Sequence, residues 1–211
     1  EAEALAREAL SAAGANPRMA ALTAAALVAA EAAGQGGHGL SRIGQYAAFL
    51  RNGRADGAAE PAVVAERGGA ALVDARHGLA YPALALAVEE AAARAAAHGV
   101  AFLGIANSHH AGAMGLPVEA LARRGLVALA FTNSPAAMPV PGGRRPLMGT
   151  NPVAAAFPRR EAPPLVIDMA LSEVARGRIM KAAQEGRPIP EGWALDAEGR
   201  PTTDAQAALS G

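Results

Sequence analysis

The sequence predicts an α/β protein in which helices flank a layered mixed sheet and a helical part comes first. Alanine-rich helical patterns precede any strand pattern. From residue 62 onward, short apolar runs alternate with helical patterns, which is typical of α/β layers. The 211 residues, 52% of them apolar, can form one large domain or two small ones around a buried core. We expect a helical part over residues 1–60 and an α/β part over residues 61–211.

The helical part contains three predicted helices, over residues 1–13, 17–33 and 40–50. Gly14 and Asn52-Gly53 are helix ends, and Asn16-Pro17 is a typical helix start. The third helix carries an apolar face suited to packing, made of Leu40, Ile43, Tyr46, Ala47 and Leu50. A glycine-rich segment around His38 separates the second and third helices. Its glycines allow backbone conformations closed to other residues, or a close approach to a ligand.

The α/β part begins with a predicted hairpin, whose turn is Arg67-Gly68-Gly69. A long helix follows and ends at Gly99, with His98 in its last turn, where positive charge is favourable. Strands are predicted over residues 62–66, 70–74, 100–105, 125–133, 153–157 and 165–168, and helices over 82–98, 116–124, about 172–185 and briefly after Asp204. The continuous apolar runs at 100–105 and 125–133 predict strands buried on both faces.

Composition excludes several classes of function. The formal net charge is zero, which argues against nucleic acid or an anionic membrane as a partner. The chain has no cysteine, so it has no disulfide, thiolate nucleophile or Cys-ligated zinc. No apolar window is long enough for a membrane helix, and the first residues lack the features of a signal peptide. We therefore expect a cytoplasmic enzyme.

The segment from Gly104 to Ala113 concentrates residues that can carry chemistry. His109 and His110 follow a predicted strand, where open α/β sheets usually bind ligands. Histidine is the commonest general acid or base near neutral pH. The alternative is structural, with one imidazole capping the turn and the other facing solvent.

His38 and Arg42 lie four residues apart where the glycine-rich segment meets the third helix. If that helix begins early, both side chains point the same way. A guanidinium beside an imidazole suits a carboxylate substrate, because Arg can hold the carboxylate while His serves the neighbouring oxygen or nitrogen. A surface Arg and a His packed under glycines is the alternative.

Asp168 ends a predicted strand and can either hold a ribose hydroxyl or cap the following helix. The chain contains neither a Gly-x-Gly-x-x-Gly after a strand nor a Walker phosphate loop. Any nucleotide must therefore bind by another architecture.

With His38, His110, Gly142-Gly143, residues 149–152 and 168–170 in view, the chain resembles the malate/L-lactate dehydrogenase family of non-Rossmann type. The resemblance covers nearly the whole chain. It implies a dimeric NAD(P)-dependent enzyme acting on malate, lactate, sulfolactate, ureidoglycolate or a cyclic imino acid. It also implies further chain beyond Gly211, including a Lys-Gly motif that contributes to the cofactor site.

The resemblance also implies roles for individual residues. His38 matches the acid/base residue, Arg42 the carboxylate clamp and Thr150 a substrate contact. Gly37 replaces a catalytic serine of the family, which favours a hydroxy acid over a cyclic imine. His110 matches a second histidine, the proton acceptor of the ureidoglycolate enzymes. Cofactor contacts are implied for His110, Ala111, Gly112, Ala113, Met114, Ser134, Asp168, Met169 and Ala170.

The favoured hypothesis is reversible hydride transfer between NAD or NADP and C2 of a small 2-hydroxy or 2-oxo acid, with the proton exchanged by His38 or His110. A cyclic imino acid reductase is the first alternative. A metal-dependent hydrolase or lyase using His38, His109, His110 and Asp168 is less favoured, because adjacent histidines diverge and no His-x-x-x-His occurs. The third alternative is a non-catalytic oligomerisation module.

Overall fold

The computed structural model describes residues 1–210. Its helices are α1 (Ala2–Ala12), α2 (Pro17–Ala32), α3 (Ile43–Arg51), α4 (Ala80–His98), α5 (Gly115–Ala122), α6 (Arg176–Gln184) and α7 (Ala205–Ser210). Its strands are β1 (Ala62–Arg67), β2 (Ala70–Asp74), β3 (Phe102–Ala106), β4 (Ala128–Phe131), β5 (Val153–Phe157), β6 (Leu165–Met169), β7 (Ala194–Leu195) and β8 (Pro201–Thr202). Helices come first and mixed strands follow, so the predicted α/β class is confirmed.

The chain folds into two compact units. Unit 1 comprises Glu1–Ala128 and Ala155–Val166, and unit 2 comprises Leu129–Ala154 and the residues from Ile167 onward. The unit boundaries fall within β4, β5 and β6. The functional division at residue 60 stays a prediction.

The helical core of unit 1 forms where helix signals and apolar spacing agree. The Asn16 side chain accepts a hydrogen bond from the Met19 amide at 2.8 Å, and Pro17 takes the first turn of α2. This cap starts α2 where the sequence predicts it. The largest fully buried side chains of this core are Leu10, Met19, Leu27 and Tyr46.

The first sheet has the strand order β1-β2-β3 and is mixed. β1 and β2 are antiparallel across a turn at Gly68, which adopts a left-handed φ of 54°. β2 and β3 are parallel, and α4 connects them and packs on the sheet through Ala83 and Ala87 against Val73. Parallel pairing aligns the carboxyl ends of β2 and β3 at one edge, so the chain leaves β3 beside the end of β2.

The prediction that residues 100–105 and 125–133 are strands buried on both faces is wrong. β3 is an edge strand of its sheet, and Phe102 is 75% exposed. β4 is shorter than predicted and alternates, with Ala128 buried while Leu129 and Phe131 are 63% and 68% exposed. A continuous apolar run does not reveal which face has a neighbour, so periodicity alone could not separate these cases.

The remaining strands form a sheet of order β4-β5-β6 and a two-stranded hairpin, β7-β8, which the sequence did not predict. α6 begins at Arg176, later than predicted, and in the irregular segment before it Ser172 Oγ donates to the Val174 carbonyl. The predicted short final helix is confirmed as α7. Its first turn is capped by the Asp204 carboxylate, which accepts from the Gln206 amide at 2.8 Å.

Across residues 1–210, the structure contains no helix with the length and apolarity needed to cross a membrane.

Candidate active site

The loop carrying His110 leaves β3 through a strained residue. Asn107 adopts a left-handed φ of 52°, and its Nδ2 donates to Asp74 Oδ1 at 3.0 Å. The carbonyl of Asn107 accepts from the His77 amide at 2.8 Å. Hydrogen bonds from the Arg76 amide and from Asn107 lower the pKa of Asp74, so the carboxylate that holds the loop stays ionised. The start of the loop is thereby anchored to the end of β2.

The far end of the same loop packs on Tyr81 of α4. Gly112 has a left-handed φ of 70°, and a β-carbon built on it would lie 2.4 Å from the Tyr81 hydroxyl oxygen. Ala113 and Met114 are buried as the chain enters α5. Only glycine satisfies both the backbone angle and the close approach at this point.

His38 lies in a short 3-10 turn, Gly36–His38, and a second such turn, Leu40–Arg42, precedes α3. The Glu31 carboxylate accepts from the Leu40 amide at 2.9 Å. The Ser41 hydroxyl donates to the Gly36 carbonyl at 2.6 Å. The glycine-rich segment is thus a folded turn tied to α2, and the third helix proper begins three residues later than predicted.

These elements bring His38 and His110 together. Their rings are stacked, with centroids 5.3 Å apart and an interplanar angle of 12°. Sequence reasoning placed each histidine in a loop, and the fold makes them one pair.

Arg42 lies close enough to act electrostatically on His110 and Tyr46. Its Nε donates to the Gly37 carbonyl at 2.6 Å and its Nη1 to Gln45 Oε1 at 2.8 Å. Within residues 1–210, Nη2 makes no hydrogen bond or ion pair, so donors remain for an anionic ligand. The guanidinium is therefore oriented by its own turn and keeps part of its donor set available.

Two tyrosines that sequence reasoning did not select complete the cluster. The Tyr46 hydroxyl lies 2.7 Å from His110 Nδ1 and 3.3 Å from the Tyr81 hydroxyl. Tyr46 is fully buried and Tyr81 nearly so, and burial raises the pKa of both phenols. Both hydroxyls are therefore neutral and available as donors at neutral pH.

His110 is a weak base in this setting. Enclosure of its ring is the largest cause, and together with electrostatic interactions with Arg42 and His38 it lowers the pKa of His110 to about 4. The residue as a whole is exposed, so water reaches part of the ring and moderates the shift. Whether the ring is fully enclosed or partly reached by water, the shift is downward, so the imidazole is mostly neutral at pH 7.

His109, by contrast, has a structural role. Its Nε2–H donates to the Arg54 carbonyl at 2.9 Å, and its ring lies 5.7 Å from that of Phe49. The adjacent imidazoles diverge as expected, and within residues 1–210 no group of three or more His, Asp or Glu side chains is arranged to hold a metal ion.

In unit 2, Ser134 and Thr150 meet with their hydroxyl oxygens 3.1 Å apart. Asn151, which sequence reasoning did not select, accepts from the Ser134 amide at 3.0 Å and has a left-handed φ of 33°. Gly149 makes this possible, because a β-carbon there would lie 2.2 Å from the Ser134 carbonyl oxygen. The sequence signal that could have pointed to Asn151 is its place before Pro152 in a predicted loop, because Asn is a typical turn residue and tolerates a positive φ.

The segment Asp168 to Ala170 ends β6 and runs beside Thr150. The Leu171 amide donates to the Thr150 carbonyl at 2.8 Å, which ties the two segments together. The reading of Asp168 as a helix cap is wrong, because α6 starts only at Arg176 and its N-cap residue is Ala175.

The polar residues of unit 2 have the chemistry needed to bind a nicotinamide cofactor. Ser134, Thr150 and Asn151 offer hydroxyl and amide groups without charge, which suits a carboxamide or ribose hydroxyls. Asp168 adds a carboxylate of the kind that accepts from ribose hydroxyls.

Comparison with known proteins identifies the family of the chain. The family model described as malate/L-lactate dehydrogenase matches residues 1–211. The chain belongs to this family.

The family assignment extends to individual relatives. The (2R)-3-sulfolactate dehydrogenase (NADP(+)) of Chromohalobacter salexigens is 54% identical over the whole chain, which covers 63% of that protein. The Δ1-pyrroline-2-carboxylate/Δ1-piperideine-2-carboxylate reductase of Pseudomonas putida is 46% identical over 82% of the chain and 51% of that protein. The crystal structure of Δ1-piperideine-2-carboxylate reductase from Pseudomonas syringae pvar. tomato superposes with a TM-score of 0.95 at 39% identity, over all of this chain and 63% of that one.

The chain thus spans about three fifths of the length of the malate/L-lactate dehydrogenase relatives that it matches throughout. It is part of an oxidoreductase family whose fold it shares.

Proposed function

We propose that the protein catalyses NAD(P)-dependent interconversion of a 2-hydroxy acid and the corresponding 2-oxo acid. The stacked pair of His38 and His110 beside Arg42 carries this proposal. It joins a proton-exchanging group to a carboxylate-binding group, which is what oxidation at the carbon next to a carboxylate requires.

Arg42 binds the substrate carboxylate in this proposal. Its Nε and Nη1 are held by Gly37 and Gln45, so the planar group is oriented before the ligand arrives. Nη2 and the second hydrogen of Nη1 remain for the carboxylate oxygens. Thr150 donates or accepts a further hydrogen bond to the substrate.

The cofactor, when bound, supplies or accepts the hydride at C2. The residues that would hold it are His110, Ala111, Gly112, Ala113, Met114, Ser134, Asp168, Met169 and Ala170. We infer NADP as the preferred form, because the 54% identical relative is named for NADP(+). Either His38 or His110 exchanges the proton at the C2 oxygen.

The favoured substrate is 3-sulfolactate, and malate and lactate are its nearest competitors. Support comes from the same relative and from Gly37, which leaves no hydroxyl where the family has a serine. A cyclic imino acid reductase is the second candidate, favoured by the P. syringae structure. We further expect a cytoplasmic homodimer, which light scattering on the purified protein would test.

The deciding experiment combines cofactor titration with a substrate screen. Nicotinamide fluorescence should show saturable binding of NADPH at lower concentration than NADH. With the preferred cofactor, kcat/KM should be highest for 3-sulfolactate, and alanine at His38 should abolish turnover without changing the circular dichroism spectrum. A higher kcat/KM for Δ1-piperideine-2-carboxylate would establish the reductase instead. If neither this chain nor a chain extended to the length of its relatives bound either cofactor while folded, both functions would be refuted.

A further inference from the structure

Three hydrogen-bonding groups form a row behind the exposed edge of His110. The row runs from the Tyr81 hydroxyl to the Tyr46 hydroxyl at 3.3 Å, and from there to His110 Nδ1 at 2.7 Å. Both phenols are buried in the core of unit 1. Within residues 1–210, the structure gives the Tyr81 hydroxyl no hydrogen-bond partner other than Tyr46.

The direction of this row follows from the hydrogens available. A hydroxyl donates one hydrogen, and a buried hydroxyl that cannot donate it loses free energy. Tyr81 can donate only to Tyr46, so Tyr46 accepts there and gives its own hydrogen to His110 Nδ1. The reverse direction would have His110 Nδ1–H donate to Tyr46 and would leave the Tyr81 hydrogen buried without an acceptor.

We propose that Tyr46 and Tyr81 are positioning residues that hold His110 as the neutral tautomer with its proton on Nε2. Nδ1 then carries only a lone pair, engaged by Tyr46. The Nε2–H edge, on the side away from the tyrosines, presents a hydrogen-bond donor. This inference rests on the proposed dehydrogenase function only for its kinetic consequence, since the tautomer is a property of the free protein.

With this tautomer, the two histidines have different roles in catalysis. His110 Nε2–H donates to the C2 oxygen of the substrate and stabilises the negative charge that develops there. It cannot take the hydroxyl proton, because its only lone pair faces Tyr46. His38 therefore accepts that proton as the hydride leaves C2 for the cofactor and the C2–O bond becomes a carbonyl. In the reverse reaction His38 returns the proton to the oxygen.

The charge beside His110 favours the same state. Arg42 acts on the ring with its positive charge, and among residues 1–210 no carboxylate contributes to the pKa shift of His110. Protonating Nδ1 would also require Tyr46 to turn from donor to acceptor and would reverse the whole row. Electrostatics and hydrogen bonding therefore both oppose the imidazolium.

Nitrogen-15 NMR of the histidine rings tests the tautomer directly. At pH 7, His110 should show one protonated nitrogen, Nε2, and one unprotonated nitrogen, Nδ1, with the signals assigned through His110→Gln. Tyr46→Phe should convert this pattern to a mixture of both tautomers. His109→Gln, a neighbouring histidine outside the cluster, should leave the pattern unchanged. A His110 that carries its proton on Nδ1, or samples both tautomers in the unsubstituted protein, would overturn the proposal.

Turnover tests the division of roles. His110→Gln keeps an N–H donor, so it should retain at least about tenfold more kcat than His110→Ala. The corresponding His38→Gln should be as inactive as His38→Ala, because an amide cannot exchange the proton. Equal losses for Gln and Ala at position 110 would contradict donation by His110. Absence of all turnover would count against the dehydrogenase proposal and leave the NMR result to decide the tautomer.

Discussion

A β-carbon on Gly112 would lie 2.4 Å from the hydroxyl oxygen of Tyr81, closer than such atoms approach in folded proteins. This contact presses the loop that carries His110 onto the row of tyrosines behind it. The two residues are far apart in sequence, and the loop depends on both.

Gly112→Ala should therefore destabilise the protein through steric overlap as well as backbone strain. Gly53→Ala is a matched control, since Gly53 has a φ of 73° against 70° for Gly112 and nothing within 4 Å of its β-carbon position. In both variants, placing alanine at a positive φ should lower the free energy of unfolding by about 1 kcal/mol. Gly112→Ala should lose about 1–3 kcal/mol more because of overpacking. Urea unfolding of the two variants measures the difference, and equal losses would show that the contact with Tyr81 has no energetic effect.

The low pKa of His110 predicts a pH dependence of stability. The folded-state pKa of about 4 lies below the ordinary value near 6.5, so the unfolded chain binds the proton more readily. The contribution of His110 to the free energy of unfolding is thus fully present above pH 6.5 and is lost as the pH falls toward 4. Between pH 7 and pH 5, the free energy of unfolding should decrease more for the unsubstituted protein than for His110→Gln. The same drop in both proteins would assign the pH dependence to other groups.

Arg42→Lys should weaken carboxylate binding although it keeps the charge. Lysine cannot reproduce the planar donor set that Gly37 and Gln45 orient, so we expect KM for the 2-hydroxy acid to rise about tenfold to hundredfold. Arg51→Lys, on the exposed end of α3, is the control and should leave KM unchanged. Steady-state kinetics on both variants separates a local effect from a general one. An unchanged KM in Arg42→Lys would exclude Arg42 as the clamp.

Gly37→Ser tests the meaning of the missing hydroxyl. Placing a serine directly before His38 should raise kcat/KM for a cyclic imine relative to that for a 2-hydroxy acid, by about tenfold. Gly36→Ser puts the same hydroxyl one residue earlier and should leave the ratio as it is. If both variants shift the ratio equally, loop flexibility and not the hydroxyl position governs substrate choice.

The sequence could predict the parts of this fold that depend on local signals. Asn16-Pro17 and Gly99 mark helix ends by capping and by a left-handed backbone, and the structure places helix ends at both. Exposure of Phe102 and Leu129 was not predictable, because a strand's neighbours depend on topology. Tyr46 was predicted as an apolar-face residue, which it is. Its hydrogen bonds join α3 to α4 and to the loop after β3, and no periodicity reports such long-range contacts.

The hydrogen bond from the Leu171 amide to the Thr150 carbonyl has a thermodynamic consequence for unit 2. It joins the proposed substrate contact at Thr150 to the proposed cofactor segment that ends at Ala170. A ligand that orders either segment lowers the entropic cost of ordering the other, so the two ligands should bind with positive cooperativity. Linkage makes this coupling reciprocal: the factor by which substrate tightens cofactor binding equals the factor by which cofactor tightens substrate binding.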